Sequence, residues 1–170
     1  MKTFAQILIC IVLSVNVFAE DKDLKLIPNI PLYTLDMERK TLYQELENLK
    51  EGDLVIINFT SSNCPPCKEE VPNLLQYSKK WNLSNPKNRL HLWIVFLGDD
   101  AISASEFAKS LGVQKPTSVY FDSFQTSMRI LDFPGTPTTF VLRKKEILFK
   151  EFGYTEANWS KMISVLENRK

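Results

Sequence analysis

The feature that most constrains the fold of this chain is Cys64-Pro-Pro-Cys67, together with what stands on either side of it. Residues 54–59 form an apolar run rich in β-branched side chains, which is typical of a strand buried on both faces. After Cys67, apolar residues recur at helical spacing as far as Trp81. Two thiols three positions apart, at the junction of a strand and a helix, are typical of a centre for dithiol–disulfide exchange.

The expected helix start suggests different roles for the two thiols. Unpaired N–H groups and the helix dipole near Cys64 favour a thiolate there, and the thiolate is the nucleophile in disulfide exchange. Cys67 is close enough in sequence to resolve a mixed disulfide. Pro65 and Pro66 remove two N–H donors beside Cys64, which stabilises the thiolate less and indicates a more reducing couple.

The first 19 residues have the layout of a secretory signal. Lys2 is the only charge before Glu20, residues 4–18 are mostly apolar, and Val17 and Ala19 occupy the positions expected before a cleavage site. We therefore predict a signal peptide over residues 1–19 and one domain over residues 20–170. An uncleaved membrane anchor is the alternative, although the apolar stretch is short for a transmembrane helix and carries polar residues.

The remaining 151 residues, from Glu20 to Lys170, are enough for one domain with its own core. Removing Lys2 from the 21 basic residues leaves 20 against 20 acidic ones, and this balance argues against a nucleic-acid-binding protein. Cys10 leaves with the signal, so only Cys64 and Cys67 remain. Because so short a loop constrains little of the unfolded chain, the pair is interpreted as catalytic or metal-binding rather than structural.

The order of apolar patterns predicts an α/β fold with a mixed central sheet and helices on both of its faces. Strands are expected over residues 54–59, 90–97, 117–121, 138–142 and 146–152, the last two as a hairpin. Helices are expected over residues 42–49, 67–81, 103–111 and 124–130 and from Thr155 onward. Active groups of such sheets lie beyond the carboxyl ends of strands, where Cys64 falls.

Two local features carry further expectations for the helices. Pro72 lies inside the second helix and is expected to kink it. Ser103 and Glu106 have the spacing of a capping box, with Ile102 and Phe107 as its hydrophobic staple, and Gly112 is expected just past the end of that helix.

Several of these motifs together resemble the thioredoxin superfamily, and more closely its TlpA/ResA-type extracytoplasmic branch, which includes the cytochrome c maturation thioredoxins. Residues 58–72, Asn-Phe through Cys-Lys-Glu-Glu-Val-Pro, resemble the active-site stretch of that branch, and residues 133–141, Phe-Pro-Gly-Thr-Pro-Thr-Thr-Phe-Val, resemble its cis-proline segment. The resemblance implies a thioredoxin-like fold, a cis Thr136–Pro137 bond whose backbone binds substrate, and a proton-handling role for Glu70. Helical spacing places Cys67 and Glu70 on one face; a solvated surface position for Glu70 is the alternative.

The sequence departs from the family pattern at two positions. Asn63 stands where this branch commonly has Trp before the first cysteine, and Asn58 stands where ordinary thioredoxins have a buried Asp. The only histidine, His91, lies within an apolar strand pattern and is interpreted as structural or as exposed at a strand end. The three tryptophans fall on predicted apolar faces and are expected in the core.

The resulting hypothesis is an extracytoplasmic thiol–disulfide oxidoreductase, a monomer without cofactor or metal that reduces disulfides of envelope proteins, apocytochrome c being one possible substrate. Cys64 attacks, Cys67 resolves, and a membrane thiol donor restores the dithiol. Two alternatives stay open at this point. The thiols could hold Cu(I), although His and Met ligands are missing near the motif. A peroxiredoxin-like peroxidase is the other, although Ile57 stands where that motif needs Pro.

Overall fold

The computed structural model describes residues 25–115 and 117–168, so the predicted signal peptide lies outside the described residues. Within these ranges, no helix combines the length and the apolar character needed to span a membrane. The strands are β1 Pro31–Thr34, β2 Arg39–Thr41, β3 Leu54–Thr60, β4 Leu90–Leu97, β5 Ser118–Asp122, β6 Thr138–Arg143 and β7 Glu146–Phe152. The helices are α1 Leu42–Glu47, α2 Cys67–Ser84, α3 Ala101–Ser110, α4 Thr126–Ile130 and α5 Glu156–Glu167.

The seven strands form one mixed sheet in the order β2-β1-β5-β4-β3-β6-β7. The neighbours β3, β4 and β5 run parallel, whereas β6 pairs with β3 in the antiparallel direction. The strand β3 therefore lies between β4 and β6, and Phe59 near its end is opposite both Val95 and Thr138. This arrangement brings the segment after β3 next to the segment before β6.

Both faces of the sheet are covered, as the continuous apolar runs predict. Alternate residues of β3 enter two hydrophobic cores: Ile57 packs with α1 and α4 on one face, and Ile56 packs with α2, α3 and α5 on the other. The predicted α/β class, with a mixed sheet between helices on both faces, is confirmed. Trp81 and Trp93 are buried in these cores, and Trp159 is partly buried against the second one.

All five predicted strands and the hairpin of β6 and β7 are present within a residue of their expected bounds. The hairpin of β1 and β2 was not predicted. Its strands have only four and three residues, and the second carries the charged Arg39 and Lys40. Short, charged strands suit the edge of a sheet, where they discourage pairing with another chain, but they lack the apolar alternation that reveals a strand in the sequence.

Two helix predictions need correction. The helix α2 runs to Ser84, three residues beyond the predicted end, and Pro72 lies inside it as expected. The capping box at Ser103 and Glu106 is wrong, because α3 begins at Ala101 and its N-cap is Asp100, whose carboxylate accepts the N–H of Ser103 at 2.8 Å. Asp is as good an N-cap as Ser, and Asp100 precedes Ser103 in the chain.

Candidate active site

The two cysteines lie directly beyond the carboxyl end of β3 and form a disulfide, with their Cα atoms 5.3 Å apart. Cys64 is 5% exposed and Cys67 is fully buried, so Cys64 is the more accessible of two largely covered thiols. Cys67 is the first residue of α2, whereas Cys64 precedes the helix in a turn in which its N–H donates to the carbonyl of Ser61 at 3.2 Å.

Three N–H groups in the first turn of α2 have partners, whereas the sequence suggested unpaired N–H groups near Cys64. Lys68 donates to the carbonyl of Pro65, and Glu69 and Glu70 both donate to the carbonyl of Pro66. The prolines, which cannot donate themselves, thus supply the carbonyls that accept the N–H groups of these three residues. This pairing weakens one of the two reasons for a stabilised Cys64 thiolate and leaves the helix dipole as the other.

The peptide bond between Thr136 and Pro137 is cis, which confirms the prediction. It immediately precedes β6, whose first residue Thr138 pairs with Phe59 of β3, so it lies beside the segment that carries the cysteines. The carbonyl of Pro137 accepts the N–H of Gly153 at 2.8 Å. Within residues 25–115 and 117–168, the N–H and carbonyl of Thr136 have no hydrogen-bond partner, and its side chain is half-buried.

Glu70 is buried, not solvated, with 5% of its surface exposed. One carboxylate oxygen accepts the hydroxyl of Thr139, and the other accepts the amide of Asn58, each at 2.9 Å. Burial raises the pKa of the Glu70 carboxyl above its ordinary value, and the two hydrogen bonds oppose this increase only in part. Glu70 shares the buried face of the first turn of α2 with Cys67, three residues before it.

Asn58 completes this polar cluster beneath the cysteines. Its side-chain nitrogen donates to Glu70 and also to the hydroxyl of Thr139, at 2.9 Å, while its side-chain oxygen is buried without a partner among the described residues. An amide cannot gain or lose a proton near neutral pH, so Glu70 is the titratable member of the cluster. Thr139 was missed by the sequence analysis, because only the pairing of β3 with β6 places it opposite Asn58.

A second missed residue, Asp99, fixes the segment before Cys64. Its carboxylate accepts the N–H of Ser62 at 3.0 Å and also the hydroxyl of Ser62. Asp99 lies just beyond the end of β4, the strand next to β3, and it is 8% exposed. The sequence presents Gly98-Asp99-Asp100 only as the end of a strand, and no local pattern links it to a residue 37 positions earlier.

The remaining candidates lie away from the cysteines. His91 is at the start of β4, at the opposite end of the sheet, where its ring contacts the carboxylate of Asp53 at 3.0 Å. This contact agrees with the interpretation of His91 as structural. In the described part of the chain, no group of three or more His, Cys, Asp or Glu residues is arranged to hold a metal ion.

Comparison with known proteins places this geometry in a family. The sequence model of a family described as thioredoxin-like matches residues 52–147, more than half of the chain. The thiol-disulfide oxidoreductase ResA of Bacillus subtilis is 32% identical over 98 residues, which cover 58% of this chain and 51% of ResA. The chain thus spans about half the length of this relative.

Solved structures show the same fold at lower identity. The thioredoxin domain of a thiol-disulfide oxidoreductase from Bacteroides vulgatus aligns with a TM-score of 0.62 at 16% identity, over 83% of this chain and 96% of that one. StoA from Bacillus subtilis aligns with a TM-score of 0.55 at 23% identity, over 81% and 96% of the two chains. The chain therefore belongs to the thioredoxin-like family, whose model matches residues 52–147.

Proposed function

We propose that this protein is an extracytoplasmic thiol–disulfide oxidoreductase that reduces disulfides in other proteins. The observation that carries the proposal is the Cys64–Cys67 disulfide at the end of β3, with the cis Thr136–Pro137 bond beside it and the buried Glu70 beneath it. These groups supply a reversible redox pair, a backbone edge for a substrate and a group that can carry a proton.

The reaction begins from the dithiol form. The Cys64 thiolate attacks one sulfur of the substrate disulfide, and the other substrate sulfur leaves as a thiolate that takes up a proton. Cys67 then attacks the Cys64 sulfur, which releases the second substrate thiol and forms the Cys64–Cys67 disulfide. Two electrons and two protons pass to the substrate. The greater exposure of Cys64 supports its role as the attacking thiol.

Glu70 is the group proposed to accept the proton of Cys67 during the second step. A buried thiol must lose its proton before it attacks, and the raised pKa of Glu70 makes its carboxylate a better base than an exposed one. The hydrogen bonds from Asn58 and Thr139 hold the carboxylate in position on the face of α2 that Cys67 shares.

The substrate chain is proposed to bind along Thr136. Its N–H and carbonyl, which are without partners among the described residues, can pair with an extended segment as in strand addition. Pro137 is buried and offers no reactive group, so its part is to shape this backbone edge rather than to join the chemistry.

The compartment and the partners complete the proposal. The secretory pattern of residues 1–19 supports export, and an oxidising compartment requires a membrane thiol donor to restore the dithiol. The substrates are then disulfide-containing envelope proteins, among which apocytochrome c is one candidate, and the protein acts as a monomer.

A turnover assay tests the activity. We expect residues 20–170 to accelerate the reduction of insulin by dithiothreitol, and we expect a variant with both Cys64→Ser and Cys67→Ser to be inactive. Equal rates for the two proteins would refute the enzymatic proposal. The direction of electron flow is tested separately by trapping thiols in intact cells, where a reductant has mostly free Cys64 and Cys67; a population that is mostly disulfide would indicate an oxidant instead.

A further inference from the structure

Three loops meet at the edge of the sheet where the cysteines lie. They follow the parallel strands β3, β4 and β5, which are neighbours in the sheet. Adjacent strands are about 4.8 Å apart, so the loop after β5 begins roughly 10 Å from the loop that carries Cys64. A polypeptide bound at Cys64 is therefore within reach of side chains on the loop after β5.

Asp99, on the middle loop, forms hydrogen bonds to both of the other loops. Its carboxylate accepts both the N–H and the hydroxyl of Ser62, two residues before Cys64. Its own carbonyl accepts the hydroxyl of Ser123, on the loop after β5, at 2.8 Å. Because one residue bonds to both flanking loops, the loop after β5 is held in a fixed position relative to Cys64.

Phe124 follows Ser123 and points into solvent, with 80% of its surface exposed. The backbone that follows it is anchored to Asp122: the N–H of Gln125 donates to the carbonyl of Asp122 at 3.1 Å, and the N–H of Ser127 donates to its carboxylate at 2.6 Å. Ile102, three residues after Asp99, is 70% exposed. These two residues, Phe124 and Ile102, are called the Phe124 surface below.

We propose that the Phe124 surface is a docking site for the substrate polypeptide, which it contacts through an apolar side chain near the disulfide to be reduced. This inference rests on the proposed function and adds the kind of substrate that the site favours: a polypeptide with an apolar residue beside its cysteine. Asn63, the residue next to Cys64, is polar and exposed, so it offers no apolar contact of its own. An exposed aromatic ring on an anchored backbone offers a large apolar contact area.

A pair of rate measurements tests the proposal. The dithiol form of the protein is mixed with insulin, a protein disulfide, or with bis(2-hydroxyethyl) disulfide, which has no chain to dock. In both reactions the thiols of Cys64 and Cys67 are oxidised to their disulfide, and the substrate disulfide is reduced to two thiols. We expect Phe124→Ser to lower the second-order rate constant for insulin roughly tenfold, and to change that for the small disulfide less than twofold.

The matched control is Leu83→Ser. Leu83 is 79% exposed, much like Phe124, but it lies in the last turn of α2, away from the three loops. We expect this variant to reduce both disulfides at the wild-type rate. Unchanged insulin reduction by Phe124→Ser, or an equal fall with both disulfides, would overturn the docking role, since the second result indicates a disturbed Cys64 loop.

Binding without chemistry separates this inference from the proposed activity. In the background of Cys64→Ser and Cys67→Ser, titration with reduced and carboxamidomethylated α-lactalbumin, an unfolded chain, is followed by the amide resonances of the protein. We expect shifts at Phe124 and Ile102, with affinity roughly tenfold weaker for Phe124→Ser and unchanged for Leu83→Ser. Absence of shifts at both residues would refute the docking site, even for a protein that proves active. A wild-type protein that reduces neither disulfide would instead refute the activity alone.

Discussion

Replacing Thr139 with Val removes one buried hydroxyl and leaves the shape of the side chain almost unchanged. Val also suits a strand as well as Thr does. The hydroxyl donates to Glu70 and accepts from Asn58, each at 2.9 Å, so the variant leaves one carboxylate oxygen and one amide hydrogen without these partners. The Thr139→Val variant therefore tests directly whether the buried carboxyl of Glu70 titrates within this network.

The cost of the substitution depends on the charge of Glu70. A hydrogen bond to a neutral group contributes about 0.5–1.5 kcal/mol and one to a charged group about 1.5–3 kcal/mol. At pH 4, below the raised pKa of Glu70, the carboxyl is protonated and we expect the variant to lose about 1 kcal/mol of unfolding free energy. Above the folded-state pKa of Glu70 the carboxylate is ionised, and there the expected loss is about 2–3 kcal/mol.

The sign of the pH dependence follows from linkage. A carboxyl whose pKa is raised by folding gives its full stabilisation below the unfolded pKa and loses it as the pH rises through the folded pKa. We expect this loss in the wild-type protein because burial raises the pKa of Glu70. Removing the hydroxyl that stabilises the carboxylate raises this pKa further, so the variant loses more stability than the wild type over the same pH range.

Urea unfolding of the disulfide form, followed by circular dichroism at pH 4 and at a series of higher pH values, measures the difference. Thr139→Ser keeps the hydroxyl and should show a much weaker pH dependence. Thr138→Val is the matched control: its hydroxyl donates to the carbonyl of Gly135 at 2.6 Å, and no titratable group takes part. We expect a loss of about 1 kcal/mol at every pH for this control. A destabilisation of Thr139→Val that stays the same over the whole pH series would contradict the reasoning.

Three further predictions concern the cysteines, the proton and a helix cap. Cys67→Ser should accumulate mixed disulfides through Cys64 in a pull-down of cell-envelope proteins, whereas Cys64→Ser should accumulate far fewer because Cys67 is fully buried; equal trapping would show that the roles are wrong. Glu70→Gln should leave the fold intact and change the dependence of thiol alkylation on pH, because a carboxylate near a thiol disfavours its ionisation; a profile that coincides with that of the wild type would remove Glu70 from the reaction. Asp100→Ala should lower the unfolding free energy by about 1 kcal/mol, as expected for a lost N-cap, while Glu106→Ala should change it by less than about 0.5 kcal/mol; the reverse order would restore the capping box.

Much of the sheet could be predicted because its signals are local. The apolar runs of β3 and β4 are continuous, as expected of parallel strands covered on both faces, and both were predicted to within one residue. The start of α5 near Thr155, which is its N-cap, was equally evident. The edge hairpin of β1 and β2 could not be predicted, because short charged strands at an edge carry no apolar alternation.

The sequence by itself determined the redox pair and its place in the chain, since two thiols three positions apart at a strand–helix junction need no distant residue to be brought together. Tertiary structure alone decided what surrounds them. Glu70 lies 12 residues from Asn58 and 69 from Thr139, and Ser62 lies 37 from Asp99. These contacts depend on which strands are neighbours and in which register they pair, and both are consequences of packing the whole sheet between its helices. Whether Glu70 is a solvated carboxylate or a buried one with a raised pKa was therefore decided by the fold.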